Sequence, residues 1–488
     1  VQAGTLDFRH FGFTDVAFNG SMQARCAGQP LDNGCVAIDT FFGKLFGNTP
    51  IEATLIIQGL DDPFFIADAR VSMPMKELNR MFPPDRFAFR GGNIDVAFHY
   101  EGQPHDQFDV EHALLKAKLN GSARITGGAI DYKPRGYRLE QMQAELDFGE
   151  EGLSVKKLEL LLNQNFLRAH GQFYDFLPFL FLPNRELRAS LNLYSPHFDF
   201  GHFKAPQKFL SRVKKGRYDP NPISELVLAG LEHIDLELKV RLDTVSYRNF
   251  KASDMVGDLR MTPSLLSIQD AGMALADGQF RLDGQITGLE DNTPDIDVRA
   301  NFQDADIQKA FLAFDNFGQQ EMGAENIEGK LTAEATFRAR ANANYDIFPN
   351  SMDGRISLKV EDGALIELPA LDSIQSFLLR NRNLSNIRFA TLENTFRLKG
   401  QELFFDHFFV ASTALAFGVE GRYDLGEGGN TNLLFTLPVG NLIRPGIRVD
   451  ALQDTGDRGK GPAILIRANE DKAGKLNFRL VLSRKERE

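Results

Sequence analysis

Side chains that can bind a metal ion or transfer protons are most concentrated between residues 99 and 112. This stretch contains three histidines and four carboxylates, namely His99, Glu101, His105, Asp106, Asp109, Glu111 and His112. Imidazole and carboxylate groups are the usual ligands of zinc and similar ions. However, His99 falls on the polar side of an alternating segment, the others follow in a polar loop, and the His-Glu-x-x-His spacing of zinc proteases is absent. We therefore predict a solvated loop and no metal site.

The sequence contains no motif for catalysis or cofactor binding with the required spacing. Residues 323–330 resemble a phosphate-binding loop, but five residues separate Gly323 from Gly329 where four are needed, and Leu331 replaces the magnesium-binding Ser or Thr. Neither a Gly-x-Ser-x-Gly elbow nor a Gly-x-Gly-x-x-Gly turn occurs. We predict no enzymatic activity, no catalytic residue and no cofactor. An enzyme acting on envelope polysaccharide would need paired carboxylates about 5 to 9 Å apart, and the motifs do not favour it.

The two cysteines, Cys26 and Cys35, lie nine positions apart in a segment rich in Gly, Pro and Asn. A disulfide can close a loop of that spacing, as in many proteins of oxidising compartments. No His or second cysteine pair accompanies them, which argues against a metal site. Two interpretations stay open: a disulfide between Cys26 and Cys35, or two free thiols.

Charge and hydropathy exclude two broad classes. The 488 residues include 55 Lys and Arg against 66 Asp and Glu, a formal net charge of -11, so we predict no nucleic-acid partner. A transmembrane helix needs about 20 apolar residues, whereas the best candidate, Phe176 to Pro183, is shorter and contains two prolines. The sequence begins at Val1 without a signal-peptide pattern, so we expect an N-terminal segment to be absent from this chain, and both a membrane anchor and an export signal stay open for it.

Apolar and polar residues alternate with a period of two along most of the chain, which is typical of strands with one apolar face. Residues 234–243 are the clearest case. The 42 Phe residues, against 9 Tyr and no Trp, make the predicted face strongly apolar. The residues that we predict to line it are Ile94, Val96, Phe98, Ile234, Leu236, Leu238, Val240, Ile296, Val298, Leu331, Phe337, Leu358, Val360, Leu415, Phe417 and Val419.

Signals for turns and helices are local and short. Asp-Gly pairs at residues 277–278, 353–354 and 362–363 predict hairpin turns, as does the segment Gly149-Glu-Glu-Gly152. Helical spacing is confined to three segments: residues 307–314 behind a capping Asp304, residues 371–378 behind Pro369, and residues 75–82 behind Pro74. These helices are too small to cover the sheet that the strands imply.

A repeat is marked by a glycine inside a strand and by the strand end that follows it. The glycines are Gly171, Gly284 and Gly421, at intervals of roughly 110 to 140 residues. Strands run into a turn or helix near residues 193, 302 and 437, and a partial fourth unit leads into Pro74. Because glycine inside a strand permits a bulge or bend, we predict one kink in each repeat.

The apolar faces of these strands need a cover, and helices cannot supply it. Repeats without linkers favour one growing sheet over compact sandwiches or barrels. At about 4.8 Å per strand, roughly twenty strands would give a trough on the order of 100 Å long, which fits acyl chains. We predict a mainly β fold: a long, curled, mostly antiparallel repeating β-groove, a taco-like open sheet with a few short amphipathic helices.

The C-terminal part carries an ordered set of motifs. A strand and turn at residues 354–366 precede the amphipathic segment 369–379, then Asn394-Thr-Phe-Arg-Leu-Lys-Gly400, then a strand through Ser412 to Gly418-Val-Glu-Gly421-Arg-Tyr-Asp-Leu425. This order resembles the C-terminal signature region of the bacterial AsmA-like family over residues 354–437. The resemblance implies a periplasmic protein tethered to the inner membrane, with a groove similar to that of bridge-like lipid-transfer proteins. We divide the chain into groove repeats (1–230), an AsmA-like region (231–440) and a C-terminal strand pair (441–488).

Two functions from different classes follow. The first is a lipid-binding or lipid-transfer protein of the bacterial envelope that carries phospholipid or other acyl lipid between inner and outer membranes, with a membrane at one or both ends. The second is a periplasmic scaffold that affects outer-membrane protein assembly by strand pairing with envelope proteins. Residues 176–183 are either a membrane-surface contact or a buried crossover. The basic residues 208–217 are either a contact to anionic head groups or a solvated turn.

Overall fold

A computed structural model gives the fold of this chain. It describes residues 13–19, 35–45, 49–59, 63–80, 84–85, 87–103, 117–133, 136–176, 187–203, 234–289, 293–318, 322–342, 346–367, 385–412, 416–426, 431–439, 462–470 and 476–481. The chain divides into two compact units. The first unit comprises Val1–Leu242 and Leu259–Pro263, and the second comprises Asp243–Asp258 and Ser264–Glu488.

Strands make up most of the described residues. They are β1 (Phe13–Asn19), β2 (Cys35–Leu45), β3 (Thr49–Gln58), β4 (Phe64–Pro74), β5 (Phe87–Gly102), β6 (Lys118–Tyr132), β7 (Tyr137–Gly149), β8 (Gly152–Leu162), β9 (Asn165–Tyr174), β10 (Leu187–Ser195), β11 (Phe198–Asp199), β12 (Ile234–Tyr247), β13 (Phe250–Met261), β14 (Leu265–Leu275), β15 (Gly278–Thr287), β16 (Asp295–Asp306), β17 (Ile327–Arg340), β18 (Asp353–Ile366), β19 (Asn386–Lys399), β20 (Glu402–Ala411), β21 (Ala416–Asp424), β22 (Asn432–Pro438), β23 (Ala463–Glu470) and β24 (Leu476–Leu480).

Successive strands pair in an antiparallel ladder from β1 to β10 and again from β14 to β24. The exception among the described pairings is β10 with β12, which are parallel. All 24 strands belong to one open sheet. The prediction of a mainly β, mostly antiparallel open sheet is therefore confirmed. Strand pairing does not establish the curl of a groove, which stays a prediction.

Helical structure is sparse in the described part of the chain. It has one α-helix, α1 (Ile307–Ala313), and short 3₁₀ turns at Met75–Arg80, Phe200–His202, Asp315–Gly318, Ala324–Asn326 and Pro349–Ser351. The segment predicted at residues 371–378 lies outside the described residues. No helix among the described residues combines the length and the hydropathy needed to cross a bilayer.

The predicted helix after β16 forms, but its cap is a different residue. The side chain of Asp306, not Asp304, accepts a hydrogen bond from the Lys309 amide at 3.0 Å. Asp304 instead has a positive φ of 53° and lies in a bulge of β16. Asp tolerates this left-handed conformation better than most residues. An Asp near the end of a strand is therefore compatible with a bulge as well as with a helix cap.

Two of the four predicted turns form. Leu275 pairs with Gly278 across a two-residue loop in which Ala276 and Asp277 both have positive φ, the geometry that suits a tight hairpin. Gly149 likewise pairs with Gly152 across a two-residue loop. The Asp-Gly pairs at 353–354 and 362–363 were wrongly predicted as turns, because the first opens β18 and the second is a bulge inside it.

The predicted kinks occur, and they lie in the strand that precedes each landmark glycine. One extra residue enters β8 opposite Gly171, β14 opposite Gly284 and β20 opposite Gly421. An equivalent bulge enters β2 opposite Leu55, in the partial fourth copy of the repeat. Bulges bend a strand and increase its twist. The sequence repeat therefore corresponds to a repeated bulge in the structure. Two of the four bulges lie in each compact unit.

Each unit buries part of one sheet face. In the first unit, Ile51, Val71 and Met73 are buried, and Met75 of the following 3₁₀ turn is 1% exposed. In the second unit, buried side chains of the strands contact the buried face of α1, whose inward residues are Ile307, Ala310 and Phe311. A single helix covers only a small part of a sheet, so most of each apolar face has no helical cover among the described residues.

Candidate functional site

The strand register of the first unit joins apolar side chains into continuous rows. Direct cross-strand partners lie on the same face of a sheet. One row crosses nine strands from β3 to β12 through Ile51, Val71, Val96, Ala123, Leu146, Val155, Gly171, Leu191 and Leu238. Flanking rows contain Ile94 with Val240 and Phe98 with Leu236. We name these rows the first apolar face.

A second row of the same kind crosses eleven strands of the second unit, from β14 to β24. Its members are Ala271, Leu282, Ala300, Ala335, Ile356, Phe396, Phe405, Gly421, Leu433, Ala468 and Phe478. Every one is apolar or glycine. We name this row, with the apolar rows beside it, the second apolar face.

The predicted lining residues fall on these two faces wherever the structure describes them. Val298 is opposite Phe337, Leu331 is opposite Val360, and Val419 continues the row towards Phe435. The remaining ones on the second face are Ile296, Leu358 and Phe417. Ile234 starts β12 in register with Leu187, although its side chain lies outside the described part, as does all of Leu415.

Much of each face is only partly covered. Ile94, Val96 and Phe98 in the first unit are intermediate in exposure, as are Leu236, Leu238 and Val240. On the second face Leu331 and Val360 are buried near α1, whereas Val298 and Phe337 are half-buried. Half-buried apolar side chains leave accessible area that an apolar ligand can remove from water, at about 25 cal/mol per Å².

Several of the 42 Phe residues contact one another through their rings on the second apolar face. The rings of Phe280 and Phe302 lie 4.7 Å apart, and Phe314, at the end of α1, contacts both. Phe396 and Phe405 form a second pair at 5.0 Å. Such pairs are favourable beyond the area they bury, and the Phe rings themselves carry no polar group that needs a partner.

Charged side chains occupy the opposite face of the strands. Asp297 pairs with Arg338 at 2.9 Å and Arg397 pairs with Asp406 at 2.8 Å, and all four side chains are substantially exposed. Exposed pairs contribute at most about 1 kcal/mol each. The pairs also hold the pKa of the Arg397 guanidinium above its ordinary value, through its hydrogen bond to Asp406. The two faces therefore separate apolar and charged surface along the same strands.

An open cleft of about 790 Å³ lies on the polar side of β3 to β7 in the first unit. Its charged lining residues are Glu52, Arg70, Asp95, Arg124, Glu145, Asp147 and Lys156. Sequence reasoning missed this cleft, because opposite charges such as Asp95 and Arg124 become neighbours only through the β5–β6 register. The signs nearly balance along the lining, which favours internal ion pairing such as Lys156 with Asp147.

Only residues 99–103 of the His-rich stretch 99–112 are described by the structure. His99 Nδ1 lies 2.8 Å from Asp68 and its Nε2 lies 3.1 Å from Glu101, which Lys118 also contacts. The hydrogen bond to Asp68, then that to Glu101, raises the pKa of His99. The carboxylates occupy opposite ring nitrogens, so they cannot share one ion with the ring. Among the described residues no group of three His, Cys, Asp or Glu could hold a metal.

Several candidate sites lie outside the described residues and stay predictions. Cys35 opens β2, but Cys26 is not described, so both the disulfide and the free thiols remain open. The undescribed candidates also include His105, Asp106, Asp109, Glu111, His112, most of the run 176–183 and the basic residues 208–217. The phosphate-loop-like segment is described, and it forms the 3₁₀ turn Ala324–Asn326 and the start of β17.

No family model, no curated protein and no solved structure matches this chain. The resemblance to the AsmA-like family therefore rests on the sequence motifs alone and stays a hypothesis. The candidate site is defined by the geometry of the chain itself: two apolar faces, each backed by a charged face.

Proposed function

We propose that this chain binds acyl lipid on its two apolar faces and transfers phospholipid within the bacterial envelope. The observation that carries the proposal is the unbroken apolar row, nine strands wide in the first unit and eleven in the second. A row of this kind suits a long, flexible, apolar ligand, because no polar group interrupts it.

Energetics support acyl chains as the ligand. Each buried CH₂ contributes about 0.8 kcal/mol, so a chain of many methylenes that covers half-buried residues such as Leu238 and Phe337 gains several kcal/mol. The charged face stays in water, where a head group would also stay. Transfer by this route needs no catalytic residue, and we propose none.

The cellular setting is proposed from the resemblance. An AsmA-like protein is expected in the periplasm, tethered to the inner membrane by an N-terminal segment, with its other end at the outer membrane. The proposed partners are accordingly phospholipid and one or both membranes, together with envelope proteins at the contact sites.

The test is native mass spectrometry, with lipid extraction, on the chain purified from a bacterial envelope in mild detergent. We expect several phospholipids per chain. Leu238→Glu and Phe337→Glu should each reduce retained lipid to less than about half, because a carboxylate on an apolar face must be desolvated. Matched controls place a glutamate at an adjacent residue of the same strand, on its polar face: Lys239→Glu and Thr336→Glu. Equal lipid in all four variants, or none in the wild type, would contradict the proposal.

A scaffold for outer-membrane protein assembly is the second candidate. Among the described strands, β24 pairs on one side only, with β23, and Leu480 on it is 41% exposed. An unpaired edge can add a strand from a client protein. Lipid-free chain should then bind an unfolded outer-membrane barrel protein, and the glutamate variants of the apolar faces should leave that binding unchanged. Loss of client binding in those glutamate variants would reject this candidate.

A further inference from the structure

One polar side chain interrupts the rows of the second apolar face. Asn394 on β19 lies directly opposite Leu358 on β18, and that row continues through Ala333, Phe302 and Phe280. All of these partners are apolar. Period-two alternation alone would place a Leu, Ile or Val at this position.

The amide of Asn394 has an unused donor. Its Oδ1 accepts a hydrogen bond from the Thr395 amide at 2.6 Å. That bond fixes which amide atom is oxygen, since a backbone N–H must donate to an acceptor. The other atom, Nδ2, is buried and has no hydrogen-bond partner among the residues that the structure describes. Buried donors are nearly always satisfied, and an orphan calls for an explanation such as a missing ligand.

The sheet changes beside this residue. The pairing of β19 with β20 ends at Phe396 opposite Phe405, although β19 extends back to Asn386 and β20 extends on to Ala411. Asn394 is the next inward-facing residue after that last rung. Asn394 therefore lies where the two strands cease to pair, in one row with half-buried Leu358 and Ala333.

We propose that Asn394 donates a hydrogen bond from Nδ2 to a carbonyl oxygen of the bound lipid, which selects acyl esters over ether-linked or plain hydrocarbon chains. This inference rests on the proposed function. An ester carbonyl sits next to the apolar chain, so it reaches the apolar face at the depth of the chain and supplies an acceptor there. A phosphate or amine head group carries its charge into water and does not suit a donor enclosed by apolar side chains.

The test compares two probes with one head group. Dioleoyl phosphatidylcholine carries two ester carbonyls, and its ether-linked analogue has the same chains without them. We expect wild-type protein to retain the ester lipid about 5- to 10-fold more strongly in direct competition, as one hydrogen bond to a buried donor allows. Asn394→Leu should lower retention of the ester lipid to that of its ether analogue, so that the ratio falls to about 1. Asn301→Leu, the same exchange on the polar face of β16, should preserve the wild-type ratio.

A second measurement needs no variant. Lipid labelled with ¹³C at the ester carbonyl should show, on wild-type protein, a carbonyl stretch shifted to lower wavenumber by hydrogen bonding. An unshifted band together with equal retention of both lipids would overturn the role of Asn394 and leave lipid binding intact. An ester preference that persists in Asn394→Leu would also overturn it. Failure of the wild type to bind either lipid would instead overturn the proposed function itself.

Discussion

His99 shows how single polar residues are used on the charged face of the first unit. It lies on β5 between Asp68 of β4 and Glu101 of its own strand, with Lys118 and Asn120 of β6 beside them. Its hydrogen bonds favour the imidazolium, so the pKa of His99 is raised. Glu101 changes in the complementary direction: its hydrogen bonds to His99 and then Lys118 lower its pKa. The group is an ion-pair brace across three strands, in contrast to a metal site.

A pH dependence follows from the direction of the His99 shift. A raised pKa in the folded state means that the stabilisation is complete below the unfolded value of about 6.5 and is lost as pH rises through the folded value. We expect His99→Gln to lower the free energy of unfolding by about 0.5 to 1 kcal/mol near pH 5.5, and by less near pH 8.5. Chemical denaturation at both pH values measures this.

The control for that measurement is His170→Gln. His170 is an exposed histidine on the polar side of β9 and makes no ion pair with the residues that the structure describes. Its replacement should leave stability the same at both pH values. A His99→Gln effect that grows with pH would contradict the proposed brace.

Bulges and caps decide where each element bends and ends. The cap of α1 is a clear case, since two nearby aspartates compete for the role and only Asp306 accepts from the helix amide. Asp306→Ala should therefore destabilise the second unit by about 1 kcal/mol. Asp304→Gly should be close to neutral, because glycine accepts the positive φ that Asp304 adopts. Hydrogen exchange of the α1 amides reports the difference, and equal effects of the two substitutions would contradict the assignment.

The landmark glycines differ in how strictly they are required. Gly171 and Gly421 have φ of 152° and 126°, and a Cβ at either would clash with the carbonyl oxygen of a neighbouring strand. Gly284 lacks a positive φ, and its Cβ would lie 3.2 Å from the Asp297 oxygen. We expect Gly421→Ala to cost more than about 2 kcal/mol and Gly284→Ala about 1 kcal/mol or less. Exchange protection of β20 to β22 against β14 to β16 measures both, and equal losses would refute the distinction.

In each unit, one face of the sheet is apolar and the opposite face is charged. The net charge of -11 is carried largely by residues that alternate with the apolar rows. Lipid held on the apolar faces is bound by removal of apolar area from water, which salt does not screen, whereas attraction to anionic head groups weakens with salt. The salt dependence of binding therefore separates the two modes.

We expect phospholipid retention to change less than about twofold between roughly 0.05 M and 0.5 M salt. Retention should also be similar for zwitterionic and anionic lipids of equal chain length. Native mass spectrometry across a salt series tests this, with the Lys239→Glu variant as a control for surface charge. A loss of tenfold or more at high salt would show that head groups, and not acyl chains, provide the affinity.

The amino-acid sequence by itself determined the strands, their two faces and the membership of the apolar rows. Side chains on a strand point alternately to opposite faces whatever strand lies alongside, so period-two patterning predicted that Val96, Leu238 and Phe337 face the apolar side. The hairpin at residues 275–278 was likewise predictable, since its turn chemistry is local. The same locality explains why the short helix after β16 was found.

Only the tertiary structure decided the register, the positions of the bulges, the parallel pairing of β10 with β12 and the surroundings of Asn394. These depend on which distant strand lies next to which, and a single extra residue in one strand changes every partner beyond it. An Asp-Gly pair is therefore a hairpin at residues 277–278 and a bulge at 362–363, with the same local chemistry. The charged cleft and the apolar surroundings of the Asn394 amide result from that long-range pairing, because each is formed by residues of several strands.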